Sequence, residues 1–115
     1  LEQMTVYMDK LYVLLRQHQI ALKVAVYPWP TQLANNDCRS IQAMYWKSWC
    51  KSHGVKFINY FDCLCDDAKP SERVKTIRKY YIQSDSHLNE AGHQLFARVF
   101  IDRFIDDYRL IARNE

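Results

Sequence analysis

No stretch of this chain approaches the ~20 consecutive apolar residues that a membrane-crossing helix needs, and its charge is not gathered under one sign. The 16 Lys and Arg against 13 Asp and Glu leave a formal charge of +3, spread along all 115 residues. Without a basic stripe to track a phosphate backbone, nucleic acid is not an expected partner. Four cysteines, Cys38, Cys50, Cys63 and Cys65, are wrongly spaced for a zinc knuckle, since Cys63-x-Cys65 is not Cys-x-x-Cys and no second pair follows. They leave open free thiols, at least one disulfide drawn from three complete pairings, or, least favoured, a metal. The hydrophobic share of 49% and the charged share of 25% are ordinary for a globular protein and exclude disorder. A chain of this length fits one small domain with a modest core, short of a complete doubly wound sheet.

What is present reads as alternating helix and strand. Met4, Met8, Leu11 and Leu15 recur at helical spacing and predict an amphipathic helix over residues 2–19 that packs on a sheet, with His18 near its end as a cation favourable to the helix dipole. Residues 21–27 form a short apolar run with one charge, Lys23, which suits a parallel strand buried on both faces. Pro28-Trp29-Pro30 stops it. In open α/β sheets ligands bind beyond the carboxyl ends of the strands, which makes Trp29 a substrate-contact residue, with the covering of a core edge as its plain alternative.

Residues 31–37 are polar and turn-rich, and Asn36 or Asp37 can cap a helix over 38–53 whose apolar side is Ile41, Met44, Tyr45, Trp49 and Cys50, stopped by Gly54. A second strand is expected at 55–60, parallel to the first. The connection after it carries Asp62, Asp66 and Asp67. Residues 71–79 are basic and read as a helical turn or an exposed loop, most simply a solvated face. The last helix, from Asn89 to about Ile111, has a wide apolar arc that includes Leu95, Phe96, Phe100, Phe104 and Tyr108, and it predicts exposed apolar surface if part of the sheet is missing.

The stretch that organises these elements is Tyr80-Tyr81-Ile82-Gln83-Ser84-Asp85-Ser86-His87-Leu88-Asn89-Glu90-Ala91-Gly92-His93. Residues two apart in an extended segment project to the same side, so the Asp85 carboxylate can reach one ring nitrogen of His87 and leave the other outward. Asn89 can cap the helix that follows, and Glu90 suits its positive first turn. That is how a general base is held and oriented. Ser84 and Ser86 lie too close in sequence to His87 to act as its nucleophile and are expected in loop hydrogen bonding.

Asp-Ser-His-Leu-Asn-Glu-Ala-Gly-His followed by Gln-Leu-Phe-Ala resembles the last motif block of the SGNH (GDSL-like) hydrolases. Val24 to Pro30 and Val55 to Phe61 resemble two core strands of that family in the same order. The likeness implies a three-layer α/β/α flavodoxin-like SGNH-hydrolase fold, of which residues 1–115 are the C-terminal part as a single domain fragment. It also implies that Asp85 and His87 are the acid and base of a Ser-His-Asp triad acting on an acyl ester, as esterase or O-acyltransferase, with an O-acylated glycan as one natural substrate. The family's Gly-Asp-Ser nucleophile block and its oxyanion-hole Gly and Asn are absent here, and the only glycines are Gly54 and Gly92. The nucleophile is therefore expected in an N-terminal part of the same domain beyond this chain, and the 115 residues alone are expected to be inert. No cofactor is expected, and a periplasmic or membrane-tethered parent is favoured. The alternatives are a noncatalytic domain that keeps the fold, or a metal site built from Asp85, His87 and His93.

Overall fold

The computed structural model describes residues 2–65 and 70–112, with side chains for 2–65 and 71–105. The protein is mixed α/β and mostly helical. In chain order the elements are α1 (Glu2–Gln17), β1 (Lys23–Val26), α2 (Pro30–Ala34), α3 (Ile41–His53), β2 (Lys56–Asn59), α4 (Phe61–Leu64), α5 (Pro70–Tyr80) and α6 (Glu90–Ala112). Contacts group them into two compact units, Leu1–Val26 with Arg39–Asn59 and Tyr27–Cys38 with Tyr60–Glu115.

The first unit holds the only sheet among the described residues. Its two strands are parallel, with Lys23 beside Lys56 and Val26 beside Asn59, as the two apolar runs predict. Parallel strands need a long crossover, and α3 supplies it. Val24 and Phe57, neighbours on one face, pack with Trp46, Trp49 and Cys50 of α3 and with Met8 and Tyr12 of α1. On the other face Ile58 is buried whereas its register partner Ala25 is exposed. Burial of β1 on both faces is therefore corrected to burial on one.

The inward faces of α1 and α3 also differ from the expected ones. Met4 and Leu11 are exposed, because α1 is drawn in by polar as well as apolar side chains: Thr5 bonds the Tyr45 hydroxyl, Asp9 accepts the Trp49 indole N–H at 2.8 Å, and the Tyr12 hydroxyl donates to the His53 carbonyl at 2.8 Å. In α3, Ile41 and Met44 face solvent and Ala43 and Trp46 are buried. Trp46 takes the core position through edge-to-face contacts with both Tyr45 and Trp49.

The second unit begins where Pro28 is fully buried and Pro30 opens α2 in a segment expected to be a loop. Proline suits a first helical turn because its missing N–H has no partner to lose there. The helix expected from Cys38 starts instead at Ile41, since Asn36 turns into the left-handed region at φ 57° and Asp37 spends its carboxylate on Gln32 (3.1 Å) rather than on a cap. Cys38 thus lies outside α3 and forms a disulfide with Cys65, while Cys50 and Cys63 are free thiols. The basic stretch is a full helix, α5, and it is not wholly solvated. Arg73 is buried, donating to the Leu64 carbonyl and the Asn36 side chain, both at 3.2 Å. Leu33, Leu64 and Tyr81 form this unit's core, with Ile77, Leu88, Leu95 and Phe96 against it. Asp66, Asp67 and the Tyr108 side chain lie outside what is described.

Candidate acid–base site

The site loop is pinned at both ends. Tyr81 follows α5 and is buried, its hydroxyl donating to the Pro28 carbonyl at 2.5 Å. It pairs with Leu88 in an antiparallel bridge, and the Ile82 N–H donates to the His87 carbonyl at 3.0 Å, so residues 82–87 close on themselves. Within that loop Ser84 takes a left-handed conformation at φ 62°, and the Asp85 N–H donates back to Ile82 at 3.1 Å.

Asn89 ties the loop to the last helix. Its side-chain oxygen accepts the Gly92 N–H at 3.0 Å, which caps α6, while its amide nitrogen donates to the carbonyls of Lys79 (3.0 Å) and Tyr81 (3.3 Å). Its own backbone N–H reaches the Tyr80 carbonyl at 3.0 Å. Gly92 completes this join: a Cβ there would overlap the Tyr80 carbonyl oxygen, so only glycine lets α6 start against the end of α5. The Leu-Asn-x-x-Gly pattern thus fixes the loop that bears the acid and the histidine.

Asp85 and His87 meet as expected. Asp85 Oδ1 lies 2.7 Å from His87 Nδ1 and also accepts the backbone N–H groups of Ser86 (2.6 Å) and His87 (3.2 Å). Ser86 therefore joins the loop network through its backbone, not its hydroxyl. The hydrogen bond from His87, with the two backbone donors, holds the Asp85 carboxyl below its ordinary value. A carboxylate can only accept, so Nδ1 carries the proton in the neutral ring and Nε2 keeps its lone pair. The His87 side chain is 77% exposed. An ion pair this open adds little to stability, so its consequence is orientation of the ring.

Beside the loop, between α2 and α5, is a cleft of about 880 Å³. Trp29, Thr31, Ile77, Arg78 and Tyr81 line it, together with Asp85 and Ser86. Trp29 is 60% exposed and lines the same cleft as the acid of the pair. His93 is on α6, and among the described residues no three His, Cys, Asp or Glu side chains converge as metal ligands, so Asp85, His87 and His93 do not form the alternative metal site. Nothing in the sequence marks Arg78 as lining a cleft, or gives Tyr81 and Gly92 their roles in holding the loop. Arg78 was hidden in a run read as a solvated face, and the signal for Gly92 was available in its rarity. No family model, curated protein or solved structure matches the chain.

Proposed function

We propose that this chain carries the acid and base of an SGNH-type serine esterase or O-acyltransferase. The observation that carries the reading is the 2.7 Å contact between Asp85 and His87 on a loop clamped by Asn89 and Gly92. Asp85 orients the imidazole and stabilises its cationic form. His87 Nε2 takes the proton of a serine hydroxyl as its oxygen attacks an ester carbonyl, then returns that proton to the departing alcohol. Water or a second alcohol next attacks the acyl-enzyme, and His87 repeats the transfer. The serine and the oxyanion-hole donors belong, in this reading, to an N-terminal part of the same domain.

The same reading makes residues 1–115 the C-terminal part of a three-layer α/β/α flavodoxin-like domain, and the parallel pair β1 and β2 joined through α3 supports it. The exposed Trp29 supports contact with an acyl ester, an O-acylated glycan included. The Cys38–Cys65 disulfide suits an oxidising compartment.

The test is hydrolysis of p-nitrophenyl acetate by the full gene product, wild type against His87→Ala, from about pH 5 to about pH 9, a span that brackets ordinary imidazole titration. Turnover should fall by several orders of magnitude in the variant. Equal rates would end the catalytic reading, and turnover by residues 1–115 alone would show that the nucleophile lies within them.

A further inference from the structure

The cleft between α2 and α5 contains one cation, Arg78, and one acid, Asp85, in a lining that sets apolar Trp29, Pro30, Ile77, Tyr81 and Ile82 beside polar Thr31, Gln83, Ser84 and Ser86. The two charges differ in what they already do. Asp85 is engaged by the His87 ring and two backbone N–H groups. Arg78 is exposed and has no hydrogen bond, ion pair or ring contact among the described residues.

Its neighbours on α5 show that this is not the rule for the helix. Arg73 is buried on two oxygen acceptors, and the Lys79 ammonium stands 5.1 Å over the Tyr80 ring. A guanidinium left free at the edge of a partly apolar cleft presents a planar fork of donors that matches a carboxylate, and pairing there is stronger than in open water because one side is already shielded. Across the cleft, Trp29 offers a wide aromatic surface to a flat apolar body.

We infer that this cleft binds an ester whose apolar, ring-like body bears a carboxylate, with Arg78 holding the carboxylate and Trp29 the ring face. The inference rests on the acyl-ester reading of the Asp85 and His87 pair and adds to it a substrate class and a specificity residue. Asp85 sets the orientation of such a ligand: its negative charge repels the carboxylate from the end of the cleft nearest His87, so the carboxylate lies toward α5.

The experiment separates binding from turnover. Two unreactive probes, p-hydroxybenzoate and the neutral ketone p-hydroxyacetophenone, which has no bond an esterase can cleave, are titrated into the full gene product and followed by ligand-observed NMR. The carboxylate should bind more tightly than the ketone. Arg78→Gln should weaken the carboxylate about tenfold, the size expected for one charge-assisted contact, and leave the neutral ketone unchanged. Arg78→Lys should restore part of the loss, and Trp29→Ala should weaken both probes. Equal affinities of the two probes for the wild type, or a carboxylate affinity indifferent to Arg78→Gln, would overturn the proposal. Failure of the esterase reading is read separately, as absence of turnover of p-acetoxybenzoate by a protein that still binds p-hydroxybenzoate through Arg78.

Discussion

Each of the two units has a histidine beside an aspartate, and the two pairs are built for different ends. In the first, His53 lies flat on Trp49 at 4.1 Å between ring centres, meets the Tyr12 ring edge-on, and has Nδ1 2.8 Å from the Trp49 carbonyl. Asp9 is 3.8 Å from its other nitrogen and already accepts the Trp49 indole N–H. Both ring nitrogens face partners, and one ring face is stacked on Trp49. In the second, His87 has one nitrogen on Asp85 and the rest of its ring in solvent. Ser52 completes the resemblance of the first cluster to a triad, 3.0 Å from His53 Nδ1, yet its hydroxyl is donated to the Trp49 carbonyl at 2.8 Å. Residue types alone would nominate Ser52, His53 and Asp9. The free lone pair decides for His87.

The sharpest way to break this comparison is to remove each ring in turn. His87→Ala should abolish ester turnover by the full gene product, a loss of several orders of magnitude, while leaving its denaturation midpoint nearly unchanged because the pair is exposed. His53→Ala should do the reverse, lowering stability by about 1–3 kcal/mol through lost aromatic packing and leaving turnover near wild type. Urea titrations and initial rates on the same preparations check both. A His53→Ala protein that is fully folded but inactive would exchange the roles assigned here.

The contrast also shows which relations can be read along a chain. Asp85 and His87 are two residues apart, and the helix signal at Asn89 follows at once, so a short loop brings acid and base together, though through a bend over residues 85–87 rather than the extended segment expected. The parallel strands were legible from their apolar runs. Cys38 and Cys65 are 27 residues apart, and their pairing depends on where α2 and α4 lie in the fold, which no spacing rule encodes. Burial of Arg73 and freedom of Arg78 were equally hidden: a basic run has the same appearance whichever of its members turns inward. Trp46 displaced Met44 from the core of α3 for a related reason, since helical periodicity nominates a face but side-chain size and ring contacts choose its centre.

The cysteines extend the comparison from histidines to thiols. Cys50 in the first unit is buried, and that burial pushes its thiol up to about 11, so it should resist alkylation at neutral pH. The disulfide in the second unit closes a loop long enough to lower the entropy of the unfolded chain substantially. Cys38→Ser should therefore destabilise that unit by about 3 kcal/mol. Urea titrations of the variant and of the wild type under reducing conditions should agree. If neither differs from the oxidised wild type, the disulfide does not form.

A smaller loss is expected at the join between α5 and α6. Gly92→Ala places a methyl group against the Tyr80 carbonyl oxygen and the Leu88 side chain, and backbone cannot move aside as a flexible side chain can. Overpacking of this kind costs about 1–3 kcal/mol. The same displacement shifts the Asn89 cap and the loop it clamps, so turnover should fall more than stability alone explains. Gly54→Ala is the control: nothing lies near a Cβ there, and its φ of 65° predicts strain without any effect on the site. Equal effects of the two substitutions on turnover would remove Gly92 from the positioning of Asp85 and His87.

The smallest effect is the pH dependence of the Asp85 contact. Its carboxyl is held below the ordinary aspartate value, first because of the His87 side-chain hydrogen bond and then because of the backbone donors. A group whose folded value is depressed favours the folded state above its unfolded value, and that contribution disappears as pH falls through the folded value. The affected window is thus acidic, below the unfolded carboxyl range, and neutral pH should show none of it. The exposure of the Asp85 and His87 pair to solvent keeps the effect on overall stability slight, so the carboxyl carbon itself is the better probe. A ¹³C NMR titration should place its midpoint below that of an unperturbed aspartate, and His87→Ala should move it part of the way back, the backbone donors of residues 86 and 87 retaining the remainder. A midpoint at the ordinary value in wild type would mean that the 2.7 Å contact is not kept in solution, and His87 would then lack the partner that fixes which of its nitrogens is free.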